Sequence, residues 1–345
     1  MNAANDRPGT NATSVSMALL QMAAGSFVGQ AISVAAKLGI ADLLKDAPQS
    51  SSALAEATGA HAGSLHRLLR LLASLDVFAE QSDGRFALTP LAALLQTNVT
   101  GSLRAFAIML GEDWHWRALG SLYHTIRTGE PAFAHVFGTS VYSYLGQHPE
   151  AAAVFDAAIT SRAHQENAAV TAAFDWADGT IVDVGAGQGA LLVAILTQSP
   201  GARGILFDLP HVVAGSRKLV ESAGLANRCA CVAGDAFEQV PAGGDLYLLR
   251  RVVHGQDDDH AVAILRNCRA AMSTHSRMLV IEHVLEPGNA PSWGKMLDLQ
   301  MLFFSAGGRE RSEAEFRTLL ASAGLNLERI VPTTAVTSLI EASPA

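Results

Sequence analysis

The residues of this chain whose types and spacing could do chemistry fall into two sets. One is the run Asp183-Val-Gly-Ala-Gly-Gln-Gly189, in which a carboxylate leads alternating glycines. The other is His254 with Glu282, each just beyond or at the end of an apolar, β-prone stretch. Alternating glycines let backbone approach a ligand closely. A histidine with a carboxylate behind one ring nitrogen keeps the other nitrogen free to take a proton. Each feature alone also has a plain structural reading. A glycine-rich turn is often just a tight connection, a loop histidine a solvated or capping residue, and a strand-end glutamate a surface charge.

The elements around them narrow the choice. Thr180–Asp183 is β-prone, Ala190–Gln198 is an apolar helix pattern closed by Ser199-Pro200, and Gly204–Leu209 is a second strand carrying Asp208 at its tip. Strand, glycine turn, helix, strand and acid is the layout of a nucleoside-binding unit, with Asp208 placed to accept hydrogen bonds from a ribose. The spacing is G-x-G-x-G rather than the G-x-G-x-x-G of dinucleotide sites, and Asp183 would repel a pyrophosphate. A ligand with an ammonium and a sulfonium but no phosphate suits such a turn, and S-adenosylmethionine is one. Strands at Arg228–Ala233, Asp245–Arg250 and Met278–Glu282 follow, with helices at Asp258–Met272 and Glu313–Ala323 and an antiparallel pair at Leu327–Val331 and Val336–Glu341. The fold class this predicts is α/β, a Rossmann-like doubly wound sheet over residues 173–345. Ligands of such sheets sit at the carboxyl ends of the strands, where Asp183, Asp208, Asp235, Arg250, Arg251, His254 and Glu282 gather. Asp235 can take an adenine or ribose donor while Phe237 covers a face of the base.

Upstream, residues 1–104 read as a mainly α, winged-helix-like domain. Helices are expected at Met17–Leu38, Ile40–Leu44, Ser51–Thr58 and Ser64–Leu75, with a wing of Val77–Glu80 and Arg85–Leu88 around Ser82-Asp83-Gly84. Seven basic and seven acidic side chains make this region neutral, which suits packing better than DNA. Its long apolar first helix needs a cover, and a homodimer is the expected one. Residues 105–172 form a helical linker rich in aromatics. Core packing accounts for most of these, but a subset including Trp114 could wall a flat, apolar substrate pocket, and Phe155, Ile159 and Arg162 share a helical face.

Composition sets the outer bounds. With 345 residues, 49% hydrophobic and 16% charged, the chain can hold two domains and a large core. A net charge of −8 gives no footprint for nucleic acid or an anionic membrane. No apolar run is long enough to span a bilayer, and the polar start Met1–Ser16 is unlike a signal peptide. The Asn11-Ala12-Thr13 sequon therefore carries no weight. Three cysteines without metal spacing are expected to be reduced thiols of a cytoplasmic, metal-free protein.

Over nearly its whole length the chain resembles the small-molecule O-methyltransferases typified by plant caffeic acid O-methyltransferase and similar bacterial natural-product enzymes. The likeness rests on Asp183–Gly189, Phe207-Asp-Leu-Pro210, Gly234-Asp-Ala-Phe237, Leu249–His254, Asp258–Asn267, Met278–Glu282, Met296–Leu302 and Gly307–Arg311. The resemblance implies transfer of a methyl group from S-adenosyl-L-methionine, leaving S-adenosyl-L-homocysteine, to a hydroxyl of an aromatic natural product. It puts the catalytic base on His254, flanked by Glu282 and Glu310. It gives Asp208 and Leu209 to the ribose side, Asp235, Ala236 and Phe237 to adenine, Asp183, Gly185 and Gly187 to the methionine end, and Arg250 to the cofactor's surroundings. It puts Phe155, Ile159, Met301 and Arg251 at acceptor-lining positions, and it implies a homodimer. One departure stands out: the family's His-Asp-Trp is His254-Gly255-Gln256 here, which removes a wall and a charge. Two rivals stay open. One is a relative that uses the cofactor structurally for hydroxylation or decarboxylation, and the other is a winged-helix regulator sensing a metabolite.

Overall fold

A computed structural model describes residues 12–345. Asn11 of the sequon and most of the polar start lie outside the described residues. The chain divides into two compact units, residues 1–116 with 153–161 and residues 117–152 with 162–345.

The first unit is helical, with a small antiparallel sheet. Its helix Ser51–Thr58 starts where the Ser50 hydroxyl accepts from the Ala53 amide and stops at Gly59, whose φ of 70° ends the helix without side-chain strain. Helix Ala62–Ala73 turns Leu65, Leu69 and Leu72 inward onto Phe78 and Phe86 of the wing strands Phe78–Glu80 and Arg85–Leu88. A third strand, Gln49–Ser50, pairs with the second of these. The expected single helix over Met17–Leu38 is instead two, Ala12–Ala23 and Gly25–Lys37, meeting at 46°. Gly25, a poor helix former, sits at the break. Val15, Met17, Leu19, Leu20, Met22 and Phe27 of these two helices are exposed. Among the described residues no single helix is long and apolar enough to cross a membrane, and this bent pair passes only by length and composition.

The second unit is a seven-stranded sheet: β1 (Thr180–Val184), β2 (Arg203–Asp208), β3 (Cys229–Ala233), β4 (Leu246–Arg250), β5 (Arg277–Glu282), β6 (Leu325–Pro332) and β7 (Ser338–Pro344). The spatial order is β6-β7-β5-β4-β1-β2-β3. The first five strands are mutually parallel, and β7 runs antiparallel between β5 and β6. Alternation along each strand builds two cores. Tyr247, Leu249, Met278 and Val280 face Ile264, Leu265, Phe316 and Leu320. Leu246, Leu248, Leu279 and Ile281 share the opposite core with Leu192, Ile195 and Val213. With helices on both faces, these strands read as continuous apolar runs. That fixes their carboxyl ends along one edge, where Asp208 pairs with Ala233 in register and Arg250 with Ile281.

Candidate functional site

The glycine turn follows β1. Gly185, Gly187 and Gly189 all have positive φ, at 70°, 58° and 81°. A side chain is also blocked sterically at two of them. A Cβ on Gly185 would meet Val252 Cγ2 at 2.6 Å, and one on Gly189 would meet Leu206 Cδ1 at 2.3 Å. At Gly187 the same atom would meet nothing within 4 Å. The turn is therefore packed underneath and open at its middle glycine.

Asp208 at the tip of β2 fastens this turn. Its Oδ2 accepts from the Gly187 amide at 2.8 Å and its Oδ1 from the Leu209 amide at 2.7 Å. Ser216 Oγ donates to the Gly187 carbonyl at 2.7 Å. Asp183 lies beneath, 2% exposed. Its Oδ1 has no hydrogen-bond partner among the described residues. Burial pushes its carboxyl up to about 7, with Arg250 opposing and Asp208 adding. After β3, Asp235 Oδ1 accepts from the Phe237 amide at 2.8 Å. Asn267 Nδ2 donates to the carbonyls of Ala236 and Phe237, both at 2.9 Å. Phe237 and Leu209 stay exposed, at 42% and 41%, so two apolar side chains flank the acids. His260, its Nδ1 held by Asp257, meets the Phe237 ring edge-on at 5.7 Å.

His254 lies in the short 3-10 turn Val253–Gly255 beyond β4 and is 9% exposed. Its Nδ1 donates to Glu310 Oε1 at 2.8 Å. Glu282, at the end of β5 and fully buried, takes the backbone N–H of His254 on Oε1 at 3.2 Å and has its Oε2 4.0 Å from Nδ1. The ring nitrogen expected to rest on Glu282 is thus held by Glu310, while Glu282 holds the backbone of the turn. Burial pushes the Glu282 carboxyl up, His254 opposing and Glu310 adding. Nε2 makes no hydrogen bond among the described residues and is not sealed off.

Glu310 arrives by pairing. Its neighbour Arg311 sits in register with Val284, two residues past Glu282, in a small parallel ladder. The Glu310 amide donates to Asp298 Oδ1 at 2.9 Å. The loop before it can approach because Gly307 has φ 76° and faces Asp257, where a Cβ would come within 2.5 Å. Arg311, 1% exposed, donates to the carbonyls of Val253 and Gln256, both at 3.0 Å, and to Asp258. It laces the histidine turn shut from behind. The ligand atoms of His254, Glu282 and Glu310 lie within 4.8 Å of one another, close enough for a cation or, as the 2.8 Å contact favours, for a hydrogen-bonded proton.

The remaining expected residues divide. Arg250 donates to Glu166 Oε2 at 2.8 Å and to Asn167 Oδ1, so its guanidinium is anchored to helix Pro149–Ala173. Arg162, Arg251 and Met301 belong to the same compact unit as His254, and the methyl end of Met301 packs by Gly308. Trp114 (buried), Phe155 (half-buried) and Ile159 (exposed) belong to the first unit. Of the other aromatics, Phe133 packs on Phe137, Tyr144 and Phe304 as core. Glu166 and Arg311 were missed. Their available signals were the Arg162–Glu166 spacing of four on a helix, two adjacent strand-end arginines in want of a carboxylate, and the arginine closing Gly307–Arg311.

The chain matches an O-methyltransferase domain over residues 116–326 and an O-methyltransferase dimerisation domain over residues 20–98. It is 48% identical over 341 residues to a phenazine O-methyltransferase of Lysobacter antibioticus, covering 99% of both chains. Among solved structures it resembles a methyltransferase of calicheamicin biosynthesis in its SAH-bound form, with TM-score 0.89 and 36% identity over 98% of this chain and 100% of that one. It also resembles an O-methyltransferase of neocarzinostatin biosynthesis in complex with S-adenosylmethionine and 2-hydroxy-5-methyl naphthoic acid, with TM-score 0.78 and 35% identity over 92% and 96%.

Proposed function

Since the chain belongs to the O-methyltransferase family, we propose that it methylates a hydroxyl of a planar aromatic natural product, with His254 as the base and a polycyclic acceptor akin to a phenazine or naphthoate. The observation that carries this reading is the Glu310–His254 contact of 2.8 Å, which commits Nδ1 and leaves Nε2 to face an acceptor hydroxyl. Bound S-adenosylmethionine supplies an electrophilic methyl group on a sulfonium centre. The residues around the glycine turn fit that cofactor. The unpartnered buried Oδ1 of Asp183 and the open face of Gly187 suit its charged methionine end, Asp208 its ribose, and Leu209 with Phe237 its base.

The chain's own part in the step is to position groups and move a proton. Ordinary phenol and imidazole pKa values differ by ~3.5 units, so a free transfer would be uphill by about 5 kcal/mol. The proton must therefore leave as the new bond forms, and Glu310 stabilises the charge that the ring gains. Alignment of the two reactants contributes up to ~7–11 kcal/mol, against ~10² to ~10⁴-fold from the base. The retained His254, Glu282 and Glu310 argue against structural use of the cofactor. The exposed apolar stretch at Val15–Phe27 runs into the dimerisation domain and fits a homodimer. Free Cys229, Cys231 and Cys268 fit a cytoplasmic setting.

The test is methyl transfer from labelled S-adenosylmethionine to hydroxylated phenazines. His254→Ala is expected to lose ~10² to ~10⁴-fold on a neutral hydroxyl while still binding S-adenosyl-L-homocysteine. Turnover of that acceptor by His254→Ala at the wild-type rate would remove the base assignment.

A further inference from the structure

Three guanidiniums converge on one buried carboxylate beside the histidine turn. Glu166, 4% exposed, gives Oε2 to Arg250 at 2.8 Å. Its Oε1 is shared between Arg162 at 3.3 Å and Arg251 at 3.5 Å. Burial works against charging Glu166, yet Arg251, Arg250 and Arg162 together hold its carboxyl below the usual carboxylate range. It is therefore the ionised hub of the cluster. Burial and the like charge of Arg251 hold Arg162 below its usual value too, the sign of cations crowded against each other.

Within this cluster Arg251 is the least held. Arg250 has a short ion pair and a second bond to Asn167, and Arg162 lies over the Trp293 ring at 5.5 Å. Among the described residues the Arg251 side chain makes a single hydrogen bond, at the 3.5 Å limit, and it remains 19% exposed. A guanidinium has five N–H donors in a fixed fork. Its backbone is also unusual: φ is 55°, a region non-glycine residues seldom occupy, in turns or where a functional site holds them there. The Arg251 amide nonetheless continues the strand pairing, donating to the Ile281 carbonyl at 3.2 Å, one residue before Glu282. Arg251 is close enough to affect Glu282, which carries the His254 amide, and Tyr142. An under-used cationic fork thus stands next to the base.

We propose that Arg251 receives a carboxylate carried by the aromatic acceptor, so that the preferred substrate is a hydroxylated aromatic acid whose hydroxyl is turned toward His254 by this ion pair. The inference rests on the O-methyltransferase reading for the hydroxyl, though not for the carboxylate. A charged hydrogen bond from Arg251 would contribute ~1.5–3 kcal/mol, which corresponds to about tenfold or more in affinity.

The test uses the full-length protein saturated with S-adenosyl-L-homocysteine and two probes, 6-hydroxy-2-naphthoate and 2-naphthol, titrated calorimetrically. The wild type is expected to bind the naphthoate about tenfold or more tightly than the naphthol. Arg251→Gln should abolish that preference, and Arg251→Lys should keep part of it, the charge surviving without the fork. Equal affinities in the wild type, or a preference that persists in Arg251→Gln, would overturn the proposal. The wild-type comparison needs no variant to fold, and a thermal melt checks the two that are made. Turnover of the same probes with S-adenosylmethionine is read separately. A preference lost in Arg251→Gln without methylation of either probe supports the carboxylate site and counts against the hydroxyl chemistry.

Discussion

At the glycine turn, Asp208 reaches partners one and 21 residues away in the chain, and both are backbone amides. At the histidine turn, the two carboxylates come from 28 and 56 residues downstream, and the shortest contact is between side chains. The first region is a backbone device secured by local sequence, with glycines wherever a side chain has no room. The second is a side-chain device secured by strand register and by a buried arginine. On the proposed reading, a cradle for a constant cofactor can be rigid and local, whereas a base that must suit an acceptor would be assembled from separate segments.

Breaking the histidine side should cost most in rate and least in cofactor affinity. Glu310→Ala removes the acceptor of Nδ1, and kcat is expected to fall about 10²-fold, at the lower edge of general-base effects. Binding of S-adenosyl-L-homocysteine, read by calorimetry, should stay near wild type. Glu282→Gln keeps an acceptor for the His254 amide but loses the carboxylate's charge, and should cost less, roughly fivefold in kcat for about 1 kcal/mol of weakened hydrogen bonding. Equal losses in the two variants would contradict the division of labour between ring and backbone.

Breaking the glycine side should do the reverse. Gly185→Ala forces a Cβ to 2.6 Å from Val252 Cγ2 at a φ of 70°. Strain of ~1–3 kcal/mol is expected, seen as a lower melting temperature and roughly tenfold or greater loss of cofactor affinity. Adding Val252→Ala should recover the steric part but not the φ cost.

Asp183 sharpens the comparison through pH. Its folded-state value of about 7 lies above the unfolded value near ~3.9. The folded form therefore binds more protons between those two values, and stability falls as pH rises from about 4 to about 7. The loss is at most ~4 kcal/mol. In the cofactor-free protein Asp183→Asn should flatten that fall in melting temperature, and an unchanged slope would mean the aspartate is charged throughout. The smallest effect is expected from chelation: overnight dialysis against EDTA should leave methyl transfer unchanged, because the hydrogen bond to Glu310 already occupies Nδ1.

How far the sequence could be read followed the same divide. Asp183–Gly189, Asp208, Asp235 and His254 were legible because each sits within a few residues of a strand end that a short apolar run locates. The five parallel strands were legible for the same reason. Glu310 entered only through resemblance, since nothing local places it beside His254; the two-residue ladder of Arg311–Ser312 with Val284–Leu285 does so. Glu166 was illegible because a buried acid on an alanine-rich helix looks like a solvated one until its arginines fold against it. The break at Ala24 was masked by an apolar pattern that runs through it, with only Gly25 to signal it.

Asp208 has a consequence for attempts to reshape the cradle. Its carboxylate is set by two amides, so on the proposed reading a ribose would find a receptor already aimed, and the fastener of the loop would double as that receptor. An acid longer by one methylene would keep the charge, but it is expected to lose the geometry of these two amide bonds. Engineers wishing to admit an altered nucleoside would do better to vary Leu209 and Phe237 around an untouched Asp208.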